Sequence, residues 1–332
     1  MARSTFLAYF DERRIMIEPA NEPLISVVLP VYNCAQYARE AVQSILAQTF
    51  SNFEFIIIDD GSTDDTPNVL RGCRDPRIRF VTQKNLGLAF TLNRGLELAR
   101  GRYIARQDAD DISLPDRFGK QISFLETHPS CALVGTWAEI WCEREKTGRV
   151  HRHPSDSATL KFELLFNNPF VHSSVMLRKS AIEQVGPYAS DGFRETEDYE
   201  LWSRIARQHD VANIPEVLQV YREVRGSLSR ASERPVVDQV VRLSAANLAW
   251  ASGTDDASPD ATNLAALVHS AQGLLISRPS FGGMREVLRR AVRRIASGKD
   301  RARLQRKADR RINGLRIRYA FTRLFKDQRS RL

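Results

Sequence analysis

The sequence lacks long apolar runs and a recognisable secretion signal. No uninterrupted apolar stretch approaches the roughly 18 residues of a membrane-spanning helix, so a transmembrane segment is not predicted. A short apolar patch at 6–10 is followed at once by Asp-Glu-Arg-Arg, where a signal peptide would have its cleavage site. We therefore expect a cytoplasmic protein.

Cysteine is also scarce, which argues against a scaffold held together by disulfides. No Cys-x-x-Cys pair is present, so we expect reduced and mostly buried thiols. His151 and His153 lie near Cys142, but this spacing matches no common zinc-ligand pattern. The four cysteines are Cys34, Cys73, Cys131 and Cys142.

Acidic residues are rare at the C-terminal end, where the positive charge is concentrated. Residues 285–332 contain 18 Lys or Arg and 4 Asp or Glu, a net charge of +14, whereas the whole chain carries +9. Apolar residues recur between the arginines at helical spacing, which is typical of helices that lie on an anionic membrane surface. The alternative is a helical bundle that packs on the rest of the chain. These apolar positions are Val287, Leu288, Val292, Ile295, Ile312, Leu315, Tyr319, Phe321, Leu324 and Phe325.

An alternation of apolar runs and amphipathic segments begins after an N-terminal extension at 1–22. It is typical of an α/β protein with a parallel sheet. Beyond residue 115 the regularity weakens, and from about 233 the chain is predicted to be helical, with a linker at 251–263. The predicted strands are 24–31, 53–58, 78–81 and 102–105, and the helices between them are 35–48 and 88–99.

Polar clusters follow three of the predicted strands, at 30–33, 59–64 and 108–111. Ligands of α/β sheets bind beyond the carboxyl ends of the strands, so we expect these clusters to meet along one edge. Asp108 and Asp110 are two residues apart, and their oxygens suit Mg²⁺ or Mn²⁺ bridging to phosphate. The alternative for this pair is an acidic turn that caps the next helix.

Five segments follow one another in the order and spacing of a known family. They are VLPVYN at 28–33, DDGSTD at 59–64, NLG at 85–87, NRG with ARGRYI at 93–104, and DADD with Pro115 and Arg117. Together they resemble glycosyltransferase family 2, over about 24–230. The resemblance implies a GT-A fold: a Rossmann-like, nucleotide-binding mixed sheet flanked by helices, here with a helical C-terminal extension. It implies transfer of a sugar from a nucleotide-diphosphate donor, most often a UDP-sugar, to an acceptor hydroxyl.

The resemblance also implies roles on the donor side. Residues around Pro30 and Tyr32, together with Asp60, would hold the base and ribose. Asp108 and Asp110 match the metal-binding Asp-x-Asp of the family, with Mn²⁺ or Mg²⁺ as the cofactor. Further donor-binding residues are expected at Asn33, Asn85, Asn93, Arg222 and Arg225.

The segment ETEDYELW at 195–202 resembles the Thr-Glu-Asp segment of the same family, where the aspartate is the catalytic base. Asp198 is therefore expected to take the proton of the acceptor hydroxyl as it attacks the anomeric carbon. One direct attack opposite the diphosphate inverts the configuration. The same carboxylates would also suit a helix N-terminus. His172, Glu197 and Trp202 are expected on the acceptor side, with His172 as a hydrogen-bonding residue.

One segment departs from the family pattern. Relatives often have Tyr-Arg-x-His, whereas this chain has YREVRGS at 221–227, with Val224 at the histidine position. A valine binds no metal, so Arg222 or Arg225 would neutralise the diphosphate as a cation instead. The third metal ligand is thereby left open.

We divide the chain into an extension at 1–22, a catalytic domain at 23–230 and a basic helical region at 231–332. The expected acceptor is a glycan or a lipid-linked glycan in bacterial-type cell-surface polysaccharide or glycolipid assembly, at the inner face of the membrane. Nucleic acid is not an expected partner, because no recognised binding motif is present. One alternative is a sugar-phosphate nucleotidyltransferase, although YNCA at 32–35 is no Gly-rich phosphate loop. The other is a catalytically weak nucleotide-sugar-binding or scaffold protein.

Overall fold

The structure is a computed structural model that describes residues 22–189, 192, 195–224, 233–255 and 258–329. The N-terminal extension up to residue 21 and the predicted phosphate-binding Arg225 lie outside these residues. The strands of the described part are β1 (Ile25–Val31), β2 (Phe53–Asp59), β3 (Ile78–Thr82), β4 (Tyr103–Arg106), β5 (Ile112–Ser113), β6 (Cys131–Cys142), β7 (Glu145–His151), β8 (Met176–Arg178) and β9 (Asp210–Glu223). The helices are α1 (Ala38–Leu46), α2 (Thr66–Arg71), α3 (Leu88–Leu98), α4 (Arg117–Thr127), α5 (Ser157–Glu163), α6 (Lys179–Val185), α7 (Glu197–Gln208), α8 (Glu233–Ser252), α9 (Pro259–Val268), α10 (Phe281–Ile295) and α11 (Gly298–Arg329).

The strands form one mixed sheet in the order β3-β2-β1-β4-β8-β6-β9-β5, and β7 pairs with β6. Strands β3, β2, β1 and β4 are parallel, whereas β8 runs antiparallel to both of its neighbours. The four predicted strands and the two predicted helices among them are confirmed to within three residues. Because β2, β1 and β4 are parallel neighbours, the three polar clusters follow adjacent strand ends, as predicted.

Strands β1 and β2 are buried over their whole length, because helices cover both faces of the sheet. The apolar side of α1 packs on one face with Val27 and Leu29. Helix α3 packs on the other face with Val28, and it approaches closely because Gly95 has no side chain. A Cβ atom at Gly95 would lie 2.3 Å from Cγ1 of Val28.

The C-terminal helices form their own apolar core, which they share with Phe162 and Phe166 around α5. Val287, Leu288 and Val292 of α10 lie inside that core. The predicted membrane-facing side of α10 is therefore wrong, because helical periodicity identifies an apolar face without identifying what covers it. Among the described helices, none has the length and apolarity needed to cross a bilayer.

The predicted linker at 251–263 is also corrected by the structure. Helix α8 continues to Ser252 and α9 starts at Pro259, so only a short connection separates them. Ala251, Ala261 and Asn263 are buried within the helical core. Small residues favour a linker by composition, but here they allow α8 and α9 to pack closely.

Candidate active site

The loops after β1 and β2 are joined by Asn33. Its side-chain Oδ1 accepts a hydrogen bond of 2.8 Å from the backbone N–H of Thr63, and its own N–H donates to Oγ of Ser62 at 2.9 Å. Asn33 has a φ of 49°, a left-handed conformation that asparagine tolerates better than most residues. The residue predicted to bind the donor thus also shapes the edge where a donor would lie.

Asp60 is buried, and its carboxylate organises the predicted base-binding region. It accepts hydrogen bonds from Nε2 of Gln83 at 2.7 Å and from the backbone N–H groups of Leu86 and Gly87 at 2.9 and 2.8 Å. These contacts hold the loop that contains Asn85, whose side chain is exposed. Gly61 allows that loop to approach, because a Cβ there would lie 2.7 Å from the backbone nitrogen of Asn85.

The other predicted donor-side residues differ in accessibility. The ring of Tyr32 is 50% exposed at the end of β1, where it is free to stack on a planar group. Pro30 is buried within β1, beyond the last residue of that strand that pairs with β4. Asn93 exchanges two hydrogen bonds of 2.9 Å with the backbone of Tyr188, so its amide serves the framework.

Three aspartates at 108, 110 and 111 follow β4 and have different environments. Asp108 is partly exposed and forms an ion pair of 2.6 Å with Arg106. Burial, and then the charge of Asp108, raise the pKa of Asp110 to about 6. Asp111 is fully buried and accepts hydrogen bonds from the hydroxyl of Ser173 and, at 2.8 Å, from the backbone N–H of Arg222. Asp111 therefore anchors the turn, while Asp108 and Asp110 face the edge of the sheet.

The floor of this region is a buried polar network around Arg117. Its Nη1 donates to Oε1 of Gln219 at 2.9 Å and to the carbonyl of Ser173, and its Nη2 donates to the carbonyl of Arg106 at 2.9 Å. Burial lowers the pKa of Arg117 to about 9. The network ties β4, α4, β9 and the 172–174 turn together, and so fixes the backbone that carries the aspartates.

Arg106 is a candidate functional residue that the sequence analysis did not name. Its guanidinium is almost fully buried and contacts both Asp108, through Nη2, and His172, through Nε at 3.2 Å. It thereby joins the donor-side cluster to the expected acceptor side. A charged residue that ends an otherwise apolar strand, two positions before the Asp-x-Asp, is the signal that could have identified it.

Asp198 and Glu197 stand at the first turn of α7, on the other side of Arg106. Nδ2 of Asn168 and the backbone N–H of Tyr199 donate to the carboxylate of Asp198 at 2.7 and 2.6 Å and hold it in place. Burial raises the pKa of Asp198 to about 6. Burial, and then the charge of Asp198, raise the pKa of Glu197 to about 8. Asp198 and Glu197 therefore differ, because the two hydrogen bonds described above orient the carboxylate of Asp198.

His172 lies between Arg106 and Asp198, and its pKa is held well below the ordinary value by burial and by the charge of Arg106. Its Nδ1 is 3.9 Å from Oδ2 of Asp198. Trp202 packs edge-on against the His172 ring, with centroids 5.8 Å apart, and is fully buried. Trp202 therefore belongs to the core behind His172, and its place on the acceptor side stays a prediction.

The guanidinium of Arg222 is buried beside the aspartates. It forms an ion pair with Glu40 and lies over the rings of Tyr37 and Trp141, at 5.0 and 5.8 Å from their centroids. Its Nε and Nη1 have no hydrogen-bond partner among the described residues. Arg222 thus adds positive charge next to Asp110 while keeping two donor groups uncommitted.

Comparison with known proteins identifies the family. Residues 26–186 match the model for glycosyl transferase family 2. The amylovoran biosynthesis glycosyltransferase AmsE of Erwinia amylovora is 34% identical over 210 residues, which cover 60% of this chain and 76% of that protein. The chain belongs to glycosyltransferase family 2. An uncharacterised glycosyltransferase of Haemophilus influenzae is 36% identical over 61% of this chain and 66% of its own length.

Solved structures place this family 2 glycosyltransferase in the GT-A fold, as predicted. The complex of Staphylococcus aureus TarS 1–349 with UDP-GlcNAc aligns with a TM-score of 0.57 and 14% identity, over 82% of this chain and 81% of that chain. The mannosyltransferase PcManGT of Pyrobaculum calidifontis, in complex with GDP-Man and Mn²⁺, aligns with a TM-score of 0.51 and 18% identity, over 87% and 80%.

The family assignment favours glycosyl transfer over nucleotidyl transfer, and it does not test the other alternative, a catalytically weak nucleotide-sugar-binding or scaffold protein. Within the described residues, no group of three or more His, Cys, Asp and Glu side chains is arranged to hold a metal. That includes the neighbourhood of Cys142, His151 and His153. Val224 follows the end of β9 and has no ligating atom, so this segment provides no histidine beside Asp108 and Asp110.

Proposed function

We propose that this glycosyltransferase transfers a sugar from a nucleotide-diphosphate donor, a UDP-sugar in the first instance, with inversion at the anomeric carbon. The acceptor is a hydroxyl of a glycan or lipid-linked glycan in cell-surface polysaccharide assembly. A lipid-linked acceptor would bring the enzyme to the inner face of the cytoplasmic membrane. AmsE is named for amylovoran biosynthesis, and TarS binds UDP-GlcNAc, which supports this class of donor and product.

The observation that carries the proposal is the position of Asp198. Its carboxylate is oriented by two hydrogen bonds and lies within electrostatic reach of Asp108 across the buried Arg106. A base must lie near the donor diphosphate without contacting it, on the side from which the acceptor hydroxyl attacks, so that it can take the proton of that hydroxyl. Asp198 has that relation to the Asp-x-Asp, and its raised pKa makes it a better proton acceptor than an ordinary aspartate.

The donor set fits a divalent cation held by Asp108 and Asp110. Burial and mutual repulsion raise the pKa of Asp110, so a cation between these carboxylates would relieve an unfavourable charge. Mg²⁺ and Mn²⁺ bind through one or two carboxylates, and take their other ligands from water and substrate phosphates. The ion would stabilise the charge that develops on the leaving diphosphate. PcManGT was solved with Mn²⁺, which supports the same choice here.

The remaining steps fall to the protein's own side chains. The exposed ring of Tyr32 stacks on the base, and the loop held by Asp60 forms the wall beside it. The buried guanidinium of Arg222 supplies positive charge beside Asp110 that offsets the negative charge of the diphosphate. Asp198 removes the proton of the acceptor hydroxyl, and His172 limits how that hydroxyl can approach. A single attack opposite the diphosphate inverts the anomeric carbon.

The proposal is tested with a panel of UDP-, dTDP- and GDP-sugars. We expect one donor class to raise the melting temperature further in the presence of Mn²⁺ than in its absence, because a ligand of the folded state stabilises it. With that donor and candidate glycan acceptors, NMR of the product should show inverted anomeric configuration. A product with retained configuration would refute the single displacement, and a protein that no nucleotide sugar stabilises would refute the donor class.

A further inference from the structure

The arginines and lysines of the C-terminal helices fall into two sets. Members of the first set form ion pairs, either within one helix or between α11 and the region of α5. Arg289 and Arg290 pair with Glu286 at 2.6 and 2.9 Å, and Arg303 pairs with Asp156 at 2.8 Å. Lys307 and Arg311 both pair with Glu163.

The second set consists of four arginines of α11 that have no partner among the described side chains. These residues are exposed, and two large apolar side chains, Ile317 and Phe321, stand among them, each 58% exposed. The apolar residues that α11 turns towards the helical core are instead buried. The unpaired set is Arg306, Arg310, Arg316 and Arg318, and the buried residues are Leu304, Ala308, Ile312 and Leu315.

Helical geometry separates the two faces of α11. At about 100° per residue, the buried residues lie in one stripe. Arg306, Arg310, Ile317 and Phe321 lie on the opposite side, at spacings of four, seven and four residues, with Arg316 and Arg318 flanking them. This surface is called the outer face of α11 below. It is basic at one end and apolar at the other.

We propose that the outer face of α11 binds an anionic phospholipid bilayer. Ile317 and Phe321 enter the boundary between headgroups and acyl chains, and the arginines lie at the level of the lipid phosphates. This arrangement removes both apolar side chains from water and neutralises cations that have no side-chain partner among the described residues. A second copy of the chain would bring like charges together, and a nucleic acid would leave the apolar pair exposed. The proposal goes beyond sugar transfer and does not depend on it.

The test uses full-length protein and sedimentation with vesicles of phosphatidylcholine, with or without phosphatidylglycerol. We expect binding to the anionic vesicles that weakens with salt. The double variant Arg306→Gln/Arg310→Gln should lower the partition coefficient by about 30-fold, the usual contribution of two basic residues near such a surface. Ile317→Ser/Phe321→Ser should lower it at least roughly tenfold, because the inserted apolar area is lost.

The matched control is Arg289→Gln/Arg290→Gln, which removes the same charge from exposed but paired arginines of α10. It should retain vesicle binding, whereas equal losses in both arginine variants would reduce the effect to net charge and overturn the assignment to α11. Circular dichroism checks that each variant keeps its helices. Binding of a random-sequence oligonucleotide that depends on Arg306 and Arg310, without vesicle binding, would contradict the proposal. So would dimerisation through this face in sedimentation velocity.

Discussion

Nε of Arg106 donates a hydrogen bond of 3.2 Å to Nε2 of His172. Because burial keeps the imidazole neutral and Nε2 accepts, the ring proton is assigned to Nδ1, the nitrogen that faces Asp198. The same guanidinium holds Asp108. One buried cation therefore contacts a predicted metal ligand and, together with the Tyr188 hydroxyl 3.2 Å from the same Nε2, favours one tautomer of a side chain beside the predicted base.

Replacing Arg106 tests this link. Arg106→Gln should lower kcat by about 100-fold, the scale expected when reacting groups are misplaced by about 1 Å. KM for the acceptor should rise as well, because His172 loses its fixed tautomer. Arg106→Lys should not restore kcat, since one ammonium cannot replace the guanidinium fork. Arg102→Gln, at an exposed position of the same segment, is the control. Normal kinetics in Arg106→Gln would show that the two contacts have no catalytic consequence.

The assignment of the base is tested by Asp198→Asn. Asparagine keeps the shape but cannot accept the proton, so transfer should fall by about 10²–10⁴-fold while donor affinity stays nearly unchanged. Steady-state kinetics and calorimetry with the nucleoside diphosphate measure the two effects. Glu197→Gln is the comparison and should lose much less activity. An inactive Glu197 variant beside an active Asp198 variant would move the role by one residue.

The pH dependence of transfer follows from the same carboxylate. A base acts only when ionised, and the pKa of Asp198 is raised to about 6. The rate should therefore increase as the pH rises through about 6 and reach a plateau above it. This increase of the rate with pH should be absent in Asp198→Asn. A parent rate that stays level from pH 4.5 to 7.5 would contradict the assignment.

The raised pKa of Glu197 predicts a stability that decreases as the pH rises. Its pKa is raised from 4.5 in the unfolded chain to about 8 in the folded protein, so the folded state binds the proton more tightly. Its contribution to stability is fully present below pH 4.5 and is lost as the pH rises through about 8. The melting temperature of Glu197→Gln should therefore exceed that of the parent by more at pH 9 than at pH 5. An equal difference at the two pH values would show that Glu197 titrates normally.

The metal proposal is tested on the protein's own aspartates. Asp110→Ala should abolish transfer and remove the extra thermal stabilisation that Mn²⁺ adds to a bound nucleoside diphosphate. Asp116→Ala removes an exposed carboxylate nearby and should leave both intact. Undiminished turnover of the Asp110 variant, or of the parent in excess chelator, would refute the role of the cation.

Alanine substitutions at two glycines should change the stability of the protein in opposite directions. Gly95→Ala should destabilise the protein by about 1–3 kcal/mol, because the added Cβ would lie 2.3 Å from Val28 in the core. Gly119→Ala in α4 meets no atom within 4 Å and should stabilise it by about 0.5–1 kcal/mol. Chemical denaturation measures both. Equal effects would contradict the close contact of α3 with β1.

The sequence could predict whatever rests on local pattern. Apolar runs defined β1, β2 and β4 because buried parallel strands need apolar residues on both faces, and a shorter run defined β3 at the edge of the sheet. The polar clusters after β1, β2 and β4 could be placed at one edge because parallel neighbours end on the same side. The order of five motifs sufficed for the family. Roles of individual site residues stay predictions.

The tertiary structure alone decided which of these residues touch one another. Arg106, His172 and Asp198 come from three distant segments, and no periodicity indicates that they form one contact network. The tertiary structure also decided which faces of the C-terminal helices are buried. The pattern showed that α10 and α11 have apolar faces, but burial depends on the partner, and α5 together with the neighbouring helices covers Val287 and Ile312. Ile317 remains exposed because α11 turns that side away from the core, a fact that only the packing of the helices determines.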